Sequence, residues 1–278
     1  MDLEGTPGVR PLSVTGMKEK SMNFHGVVTA FRTLTILPVP GRDSEDFGAA
    51  LPWFPIAGLV LGIVLALAAW LWNHTLNGWF EGGAVLLLLG SVFLTRGLHL
   101  DGLADWADAL GGKPDRRSRL AIMKDSRLGT FGGLALGIVL IAKWVALERI
   151  LGMGSPWLIP PALLVSRSMM AELASTLPYA RSGPGTAEPF VHGASKKRRL
   201  LALGGGLLFC AAWGPFGLLC FAAGWSATKL FARHCRKAFG GVTGDLLGTL
   251  NEILETGLLF LSGLPVGAPL WYTMTTSL

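Results

Sequence analysis

The sequence predicts an all-α integral membrane protein, a bundle of about six or seven transmembrane helices preceded by an amphipathic helix. Of its 278 residues, 51% are hydrophobic and only 15% are charged, and the mean hydropathy is +0.49. Soluble domains carry roughly a quarter charged residues. The charged residues here fall in short segments between long apolar runs, which is typical of membrane helices joined by polar loops.

The chain begins with a polar stretch followed by an amphipathic pattern. Residues 1–22 contain no apolar core with a cleavage site, so we expect no secretory signal and treat them as an extension. Residues 23–278 are then expected to form a single membrane-embedded catalytic domain. From Phe24 to Leu34, apolar residues recur at helical spacing with Arg32 on another face, which predicts an amphipathic helix at the membrane interface.

Apolar segments of about spanning length follow one another along the rest of the chain. They occupy residues 51–72, 82–95, 129–147, 157–177 and 246–263. Residues 200–228 are too long for one upright span, and Gly214-Pro215 divides them, so we expect a hairpin of two short helices. The uncharged tail, residues 264–278, is expected to be partly re-entrant.

The basic residues are distributed unevenly between the two ends of these spans. They concentrate in residues 96–128, 180–199 and 229–244. The intervening turns, residues 73–81 and 148–156, hold one Lys or Arg between them, Arg149. The positive-inside rule therefore predicts a cytoplasmic-membrane protein with the three basic segments facing the cytoplasm. We attribute the net charge of +6 to contact with anionic lipid and expect no nucleic-acid partner.

A row of acids directly follows the second apolar segment, in "GLHLDGLADWADALGG". Asp105 and Asp108 lie four and seven residues after Asp101, which places all three on one face of a helix. Like charges at this spacing repel, and desolvation near a membrane adds to the cost, which a divalent cation would offset. Carboxylate ligands combined with waters and phosphates predict Mg²⁺. The alternative is a solvated acidic helix start that complements the helix dipole.

A second acidic group occurs in "GGVTGDLLGTLNEILE". A glycine loop ending at Gly244 precedes Asp245, which suits binding of an anion or of a cation with phosphate. Glu252 and Glu255 continue on the same side of the helix. We expect Asp245 and Glu252 to join the catalytic or metal-binding set, and Gly244 and Glu255 to contact substrate. For Asp245, the alternative is a simple helix N-cap.

A basic segment, "MKDSRLGTFGG", lies between the two acidic groups. Lys124, Arg127 and Thr130, before the next apolar helix, are candidates for binding phosphate oxygens, and Asp125 is a candidate metal ligand. Alternatively, the two cations extend from the membrane edge to water. His99, one turn before the first acids, is a candidate substrate contact or an interfacial loop histidine.

Several other chemistries are not indicated. Cys210, Cys220 and Cys235 have neither metal-ligand spacing nor an even number, and we interpret them as core thiols. The sequence contains no Walker loop, Gly-x-Ser-x-Gly elbow, His-Glu-x-x-His motif or Rossmann fingerprint. The residues themselves therefore indicate a multi-span protein whose carboxylates, with Mg²⁺, act on a phosphate compound.

Three long motifs in order, "GLHLDGLADWADALGG", "RRSRLAIMKDSRLGTFGGLAL" and "GGVTGDLLGTLNEILE", resemble cobalamin synthase, the adenosylcobinamide-GDP ribazoletransferase family. "FRTLTILPVPG" and "WFPIAGLVLG" resemble the opening of the same family, so the resemblance covers roughly residues 24–264. Trp106 stands where a small residue is expected, and Thr95-Arg96 stand where glycines are more usual. These departures affect the expected shape of the site but remove no acid.

The resemblance implies a membrane enzyme that completes the nucleotide loop of coenzyme B12. Such an enzyme joins adenosylcobinamide-GDP to α-ribazole, or to its 5′-phosphate, and releases GMP with the help of Mg²⁺. The resemblance places the metal and the proton-accepting carboxylate among Asp101, Asp105, Asp108, Asp245 and Glu252. It assigns the guanylyl phosphate to Lys124 and Arg127. The expected partners are the two substrates and the lipid bilayer, with a homo-oligomer or association with other corrinoid-assembly enzymes left open.

Two other functions were weighed against this one. CDP-alcohol phosphotransferases use a similar acid cluster, but their motif has Ala-Arg after Asp-Gly and a second half, Gly-x-x-x-Asp-x-x-x-Asp. This sequence has Ala104-Asp105 and lacks that second half. A cation transporter would place acids near the middle of paired half-helices. Most acids here lie at span ends on one side, which favours an enzyme at the membrane surface.

Overall fold

The computed structural model describes residues 24–76, 78–112 and 115–264, and most of these residues are helical. The α-helices are α1 (Phe24–Leu34), α2 (Phe54–Thr75), α3 (Phe80–Thr95), α4 (Leu98–Gly111), α5 (Arg116–Ile122), α6 (Thr130–Gly152), α7 (Pro160–Ala174), α8 (Glu188–His192), α9 (Lys196–Cys210), α10 (Gly214–Ala238) and α11 (Gly244–Gly263). Short 3-10 turns cover Phe47–Trp53, Pro156–Leu158 and Ala211–Trp213. No strand occurs in these ranges beyond one isolated bridge between Tyr179 and Val242. The predicted all-α fold is confirmed.

Several helices are apolar enough to lie in a membrane. By length and composition, three helical runs of the described chain can cross a bilayer, namely Phe47–Thr75, Thr130–Gly152 and Lys196–Ala238. α3 and α4 together make a fourth if their bent pair is one span. Large apolar side chains on the outer face of α6, among them Ile138 and Ile141, are more than 60% exposed, as expected of a lipid-facing surface. The expected count of six or seven spans stays a prediction.

The longest apolar run is a hairpin of two antiparallel helices, as the sequence predicts. The chain reverses between α9 and α10 at Gly214, whose φ of +58° favours glycine. Below the turn, a Cβ at Gly217 would lie 1.9 Å from the carbonyl oxygen of Cys210. Further along, a Cβ at Gly206 would lie 3.3 Å from the Phe221 ring. The hairpin returns the chain to the side from which it started.

Helix α7 lies at the centre of the bundle. All of its residues are buried, and it packs against α2, α9, α10 and α11. The contact with α2 depends on two glycines in a Gly-x-x-x-Gly pattern. A Cβ at Gly58 would lie 2.3 Å from the Leu163 carbonyl oxygen, and one at Gly62 would lie 2.6 Å from Pro160 Cα. These small residues let the two helix backbones approach closely.

A buried acid on α7 anchors the hairpin. The Glu172 side chain is fully buried and accepts hydrogen bonds from Arg199 Nε of α9, at 2.5 Å, and from Lys229 Nζ of α10. Because one carboxylate binds both arms, α9 and α10 are held side by side against α7. Burying an acid in an apolar bundle requires such compensation.

A sharp corner places α4 beside α11. Arg96 and Gly97 both adopt left-handed backbone conformations, with φ of 55° and 64°, and the chain turns by 90° between α3 and α4. The Arg96 guanidinium donates to the Arg32 carbonyl oxygen at 2.7 Å, which ties the corner to α1. Because α4 leaves the direction of α3 here, we treat α4 as lying outside the membrane spans.

Some expectations concern residues that the structure does not describe. The extension over residues 1–22 and the re-entrant tail within 265–278 lie outside the described residues. The assignment of residues 23–278 to one catalytic domain stays a prediction. The amphipathic helix expected from Phe24 is present as α1, with Val28 and Phe31 buried on its inner face.

The close approach of α2 and α7 predicts that Gly58→Ala destabilises the protein by about 1–3 kcal/mol, because the new methyl group would overlap the backbone of α7. Thermal unfolding in detergent measures this effect. Gly137→Ala on α6 is the matched control, since a Cβ there meets nothing within 4 Å. We expect the control to be neutral or slightly stabilising. Equal unfolding temperatures for the two variants would contradict this account of the contact.

Candidate functional site

The acid-bearing helices α4 and α11 meet through two glycines. A Cβ at Gly102 would lie 2.6 Å from the carbonyl oxygen of Asp245, and one at Gly248 would lie 3.1 Å from His99 Cα. The Thr249 hydroxyl donates to the Gly102 carbonyl oxygen at 2.9 Å. α4 therefore lies directly on the first turns of α11, and their acids face the same space.

Asp101 and Asp105 from α4 share this face with Asp245 from α11. Burial, together with the charges of Asp245 and Asp101, raises the pKa of Asp105 to about 7. Burial also raises the pKa of Asp245. The structure thus brings together these three residues as the sequence predicts, and leaves their mutual repulsion only partly compensated. We call these three residues the acid face.

Asp245 has one cationic partner, Arg181. The Arg181 guanidinium donates to Asp245 Oδ2 at 2.8 Å and to the Met123 carbonyl oxygen at 3.1 Å, which joins α11 to the end of α5. The N-cap of α11 is Thr243, whose hydroxyl accepts from the Leu246 amide at 3.3 Å. The alternative interpretation of Asp245 as the N-cap is therefore wrong, and its carboxylate is held at the acid face by Arg181.

Asp108 binds the start of α6. Its two carboxylate oxygens accept from the amides of Gly129 and Gly132, each at 2.8 Å. A carboxylate at a helix N-terminus is stabilised by the unpaired amides and the helix dipole. A Cβ at either glycine would lie within 2.4 Å of this carboxylate. The catalytic and metal-binding roles expected of Asp108 stay predictions, and its contacts are those of a structural cap.

Glu252 and Glu255 lie in a different environment, a buried ion network with Lys143 of α6 and Arg167 of α7. Lys143 Nζ lies 2.7 Å from an oxygen of each glutamate, and Arg167 binds the other oxygen of Glu255. All four side chains are at most 5% exposed. The two positive and two negative charges balance, so this network needs no metal ion. The metal role of Glu252 and the substrate role of Glu255 stay predictions.

His99 is buried between α4 and α11. Its Nδ1 lies 3.0 Å from the side-chain amide nitrogen of Asn251, which can only donate, so Nδ1 accepts. Its Nε2 has no hydrogen-bond partner in the structure. Gly244 is the first residue of α11. A Cβ added to it would lie 3.1 Å from the hydroxyl oxygen of Thr186. The contacts that the structure shows for His99 and Gly244 are with other parts of the protein, so their expected roles in substrate binding stay predictions.

The basic segment before α6 is exposed. Asp125 and Arg127 form an ion pair at 2.6 Å, and the hydrogen bonds from Arg127 lower the pKa of Asp125 to about 2. Lys124 is exposed, and Thr130 is the first residue of α6. These residues lie next to the cap that Asp108 forms. Asp125 is therefore satisfied by its neighbour, and its role as a metal ligand stays a prediction.

The acid face suits a metal ion that substrate helps to bind. In the described part of the chain, no three His, Cys, Asp or Glu side chains converge closely enough to hold a metal by themselves. Mg²⁺ in phosphate-processing enzymes is bound by one or two carboxylates, with waters and substrate phosphates as the other ligands. Asp101, Asp105 and the remaining oxygen of Asp245, Oδ1, would fit that donor set, and Mg²⁺ stays a prediction.

The sequence matches a known protein family. Residues 26–263 match the family described as Cobalamin-5-phosphate synthase, a range that includes every helix from α2 to α11. The chain belongs to this family. No solved structure matches the chain.

Curated members of the cobalamin-5-phosphate synthase family are similar over nearly their full length. A protein of Chlorobaculum parvum is 44% identical over 246 residues, covering 86% of this chain and 95% of the relative. A protein of Chlorobium phaeovibrioides is 42% identical, covering 83% and 93%. One of Syntrophobacter fumaroxidans is 38% identical, covering 84% and 95%. All three are named Adenosylcobinamide-GDP ribazoletransferase.

Sequence analysis did not identify three cations that organise the site of this cobalamin-5-phosphate synthase family member. They are Lys143, Arg167 and Arg181. Lys143 interrupts one apolar segment and Arg167 shares another with Glu172, and a charge in such a segment requires a buried partner. A charge within an apolar segment therefore indicates a buried acidic partner, and the partners here are the two glutamates on α11. Arg181 lies in an irregular loop, where no periodicity indicates its partner, so only the fold shows its pairing with Asp245.

The buried ion network predicts that Lys143→Met costs about 3–5 kcal/mol of stability, because two glutamates would then share one arginine. Adding Glu252→Gln restores neutrality, with Arg167 paired to Glu255 alone. We expect the double variant to recover more than half of the loss in thermal unfolding. A double variant as unstable as the single one would show that charge balance does not govern this network.

The raised pKa of Asp105 predicts a pH-dependent loss of stability without divalent cations. Its ordinary pKa is 3.8 and its folded value is about 7, so the folded state retains the proton over this interval. Stability is therefore greatest below about pH 4 for this group and falls as pH rises through 7. Unfolding measured with a chelator across this range should show a shallower decline in Asp105→Asn. Identical slopes would contradict the prediction.

Proposed function

We propose that the chain is an adenosylcobinamide-GDP ribazoletransferase of the cytoplasmic membrane, with the acid face as its active site. The match over residues 26–263 carries this proposal, supported by relatives that share the name over more than 90% of their length. In this reaction, adenosylcobinamide-GDP is joined to α-ribazole, or to its 5′-phosphate, and GMP is released.

The chemistry that the acid face would support is displacement at phosphorus. A ribose hydroxyl of α-ribazole attacks the phosphorus attached to the cobinamide arm, and the bond between this phosphorus and the oxygen of GMP breaks. Mg²⁺, held by Asp101, Asp105 and Asp245, would neutralise the diphosphate and the charge that develops on the leaving group. A carboxylate of the acid face accepts the proton from the attacking hydroxyl. Arg181 keeps Asp245 in position.

The leaving guanylyl phosphate would be bound by the basic segment before α6. Asp108 already takes the amides of Gly129 and Gly132, so the start of that helix has little remaining capacity for another anion. The side chains of Lys124 and Arg127 are exposed next to it and supply positive charge. Arg127 would exchange Asp125 for phosphate, an exchange between two anionic partners.

The proposed orientation places the acid face toward the cytoplasm. The acidic end of α4 and the start of α11 lie next to α5, through the contacts of Arg181. α5 and the final turn of α10 are rich in Arg and Lys. Both arms of the α9–α10 hairpin reach the same Glu172, so their basic ends lie on one side. Positive loops are retained in the cytoplasm, which supports this orientation.

The proposal predicts that Asp101→Asn abolishes activity without loss of stability. Asp101 is exposed, so neutralising it should leave the fold unchanged while lowering turnover by about 100-fold or more. GMP release is followed in detergent with Mg²⁺, adenosylcobinamide-GDP and α-ribazole. Glu45→Gln, an exposed acid far along the chain from the site, is the matched control. Folded wild-type protein that releases no GMP, or an Asp101→Asn variant with full activity, would overturn the proposal.

Comparing Asp101→Asn with Asp108→Asn separates two functions of the acids on α4, namely catalysis and capping of α6. Asparagine has only one acceptor oxygen, so this variant loses a bond to the start of α6 and the favourable charge at the helix N-terminus. We therefore expect Asp108→Asn to lower the unfolding temperature, which Asp101→Asn should not do.

A further inference from the structure

A basic cavity of about 420 Å³ opens beside the acid face, between α5 and the C-terminal end of α10. Its lining residues among those described are Arg119, His234, Lys237 and Ala238. Three of these four carry nitrogen donors, and none is acidic. A cavity of this size can hold a small organic phosphate. No residue of this cavity appears in the mechanism above.

Arg119 brings a cation to the cavity from a second helix, α5. Its Nε is enclosed by protein and has no hydrogen-bond partner among the described residues, so a ligand in the cavity would meet the terminal nitrogens of the guanidinium. Lys237 lies in the last turn of α10, where the helix dipole stabilises a cation without any ligand. Arg119 belongs to a different helix, so that explanation does not account for it. The planar guanidinium suits a phosphate group.

His234, which lines the same cavity, is held in place by aromatic neighbours. Trp106 Nε1 can only donate, and it lies 3.4 Å from His234 Nε2, so that nitrogen accepts. The neutral imidazole then carries its proton on Nδ1. The rings of Phe231 and Phe239 lie 6.0 and 5.9 Å from the imidazole and fix its position. The cavity therefore combines a fixed neutral donor with two cations.

Two short connections join this cavity to the acid face. Trp106, which contacts His234, directly follows Asp105 on α4. Arg119 lies one helical turn before Met123, whose carbonyl oxygen accepts from the same Arg181 that binds Asp245. These connections place the cavity near the acid face.

We propose that the cavity binds the phosphate of a nucleoside 5′-phosphate that takes part in the reaction. This inference rests on the proposed function. The phosphate is that of the incoming α-ribazole 5′-phosphate, since Lys124 and Arg127 are already assigned to the guanylyl phosphate. It is a phosphate monoester dianion, which matches the two cations and the neutral donor of the cavity.

The test compares Arg119→Gln and Lys237→Gln with Arg233→Gln, an exposed arginine on α10 outside the cavity. For each variant, one measures the KM for α-ribazole 5′-phosphate, the KM for α-ribazole and the inhibition constant of GMP. Loss of a charge-assisted contact should weaken binding by about 10- to 100-fold. Arg233→Gln should leave all three constants unchanged.

The pattern of changes tests this assignment. A raised KM for α-ribazole 5′-phosphate alone supports it, whereas a raised inhibition constant for GMP alone contradicts it. Unchanged constants in both cavity variants, or an equal rise for the two forms of ribazole, would overturn the inference. Lys237 is exposed, so its variant retains the test if Arg119→Gln does not fold.

Failure of the proposed function gives a different result. Folded wild-type protein would then release no GMP with either form of ribazole. In that case, equilibrium binding of GMP and of α-ribazole 5′-phosphate is measured directly in detergent. Binding that Arg119→Gln weakens upholds the cavity as a nucleoside-phosphate site, and absent or unaltered binding rejects it.

Discussion

Lys143, Arg167, Glu252 and Glu255 bind one another at the point where α6, α7 and α11 meet inside the bundle. An unpaired charge at this depth would be costly, so each of these helices must be placed where its partner charges are. The network thereby fixes α11, and α11 in turn positions α4 through the backbone contact at Gly102. The acid face depends on both contacts.

Glycines set the distances on which this arrangement relies. Gly58 and Gly62 bring α2 against α7, and Gly102 and Gly248 bring α4 against α11. Association of helices in lipid gains little from the hydrophobic effect, so close packing and internal polar bonds must supply the energy. The two kinds of contact act together here, because a larger residue at the glycines would separate the groups that pair. The close glycine contacts thus let the helices pair polar groups inside the bundle while apolar side chains cover its outside.

Sequence reasoning predicted the helices, the α9–α10 hairpin and the meeting of Asp101 and Asp105 with Asp245, because apolar length, a Gly-Pro break and helical spacing are local signals. It did not separate Asp108 from the other acids on α4. Spacing gives the face of a helix, whereas the start of α6 that Asp108 caps arrives from another part of the chain. Likewise, periodicity placed Glu252 and Glu255 on one side of α11 without showing that Lys143 and Arg167 face them.

Charge balance separates the acids that stabilise this fold from those that serve its chemistry. In the buried network, two carboxylates meet two cations, and every charge is compensated within the protein. At the acid face, three carboxylates meet one cation, Arg181. Burial and this excess of negative charge together raise the pKa of Asp105, and the excess would be relieved by a divalent cation arriving with an anionic substrate. An enzyme that must release its product after each turnover benefits from a site whose charges balance only while the substrate is bound.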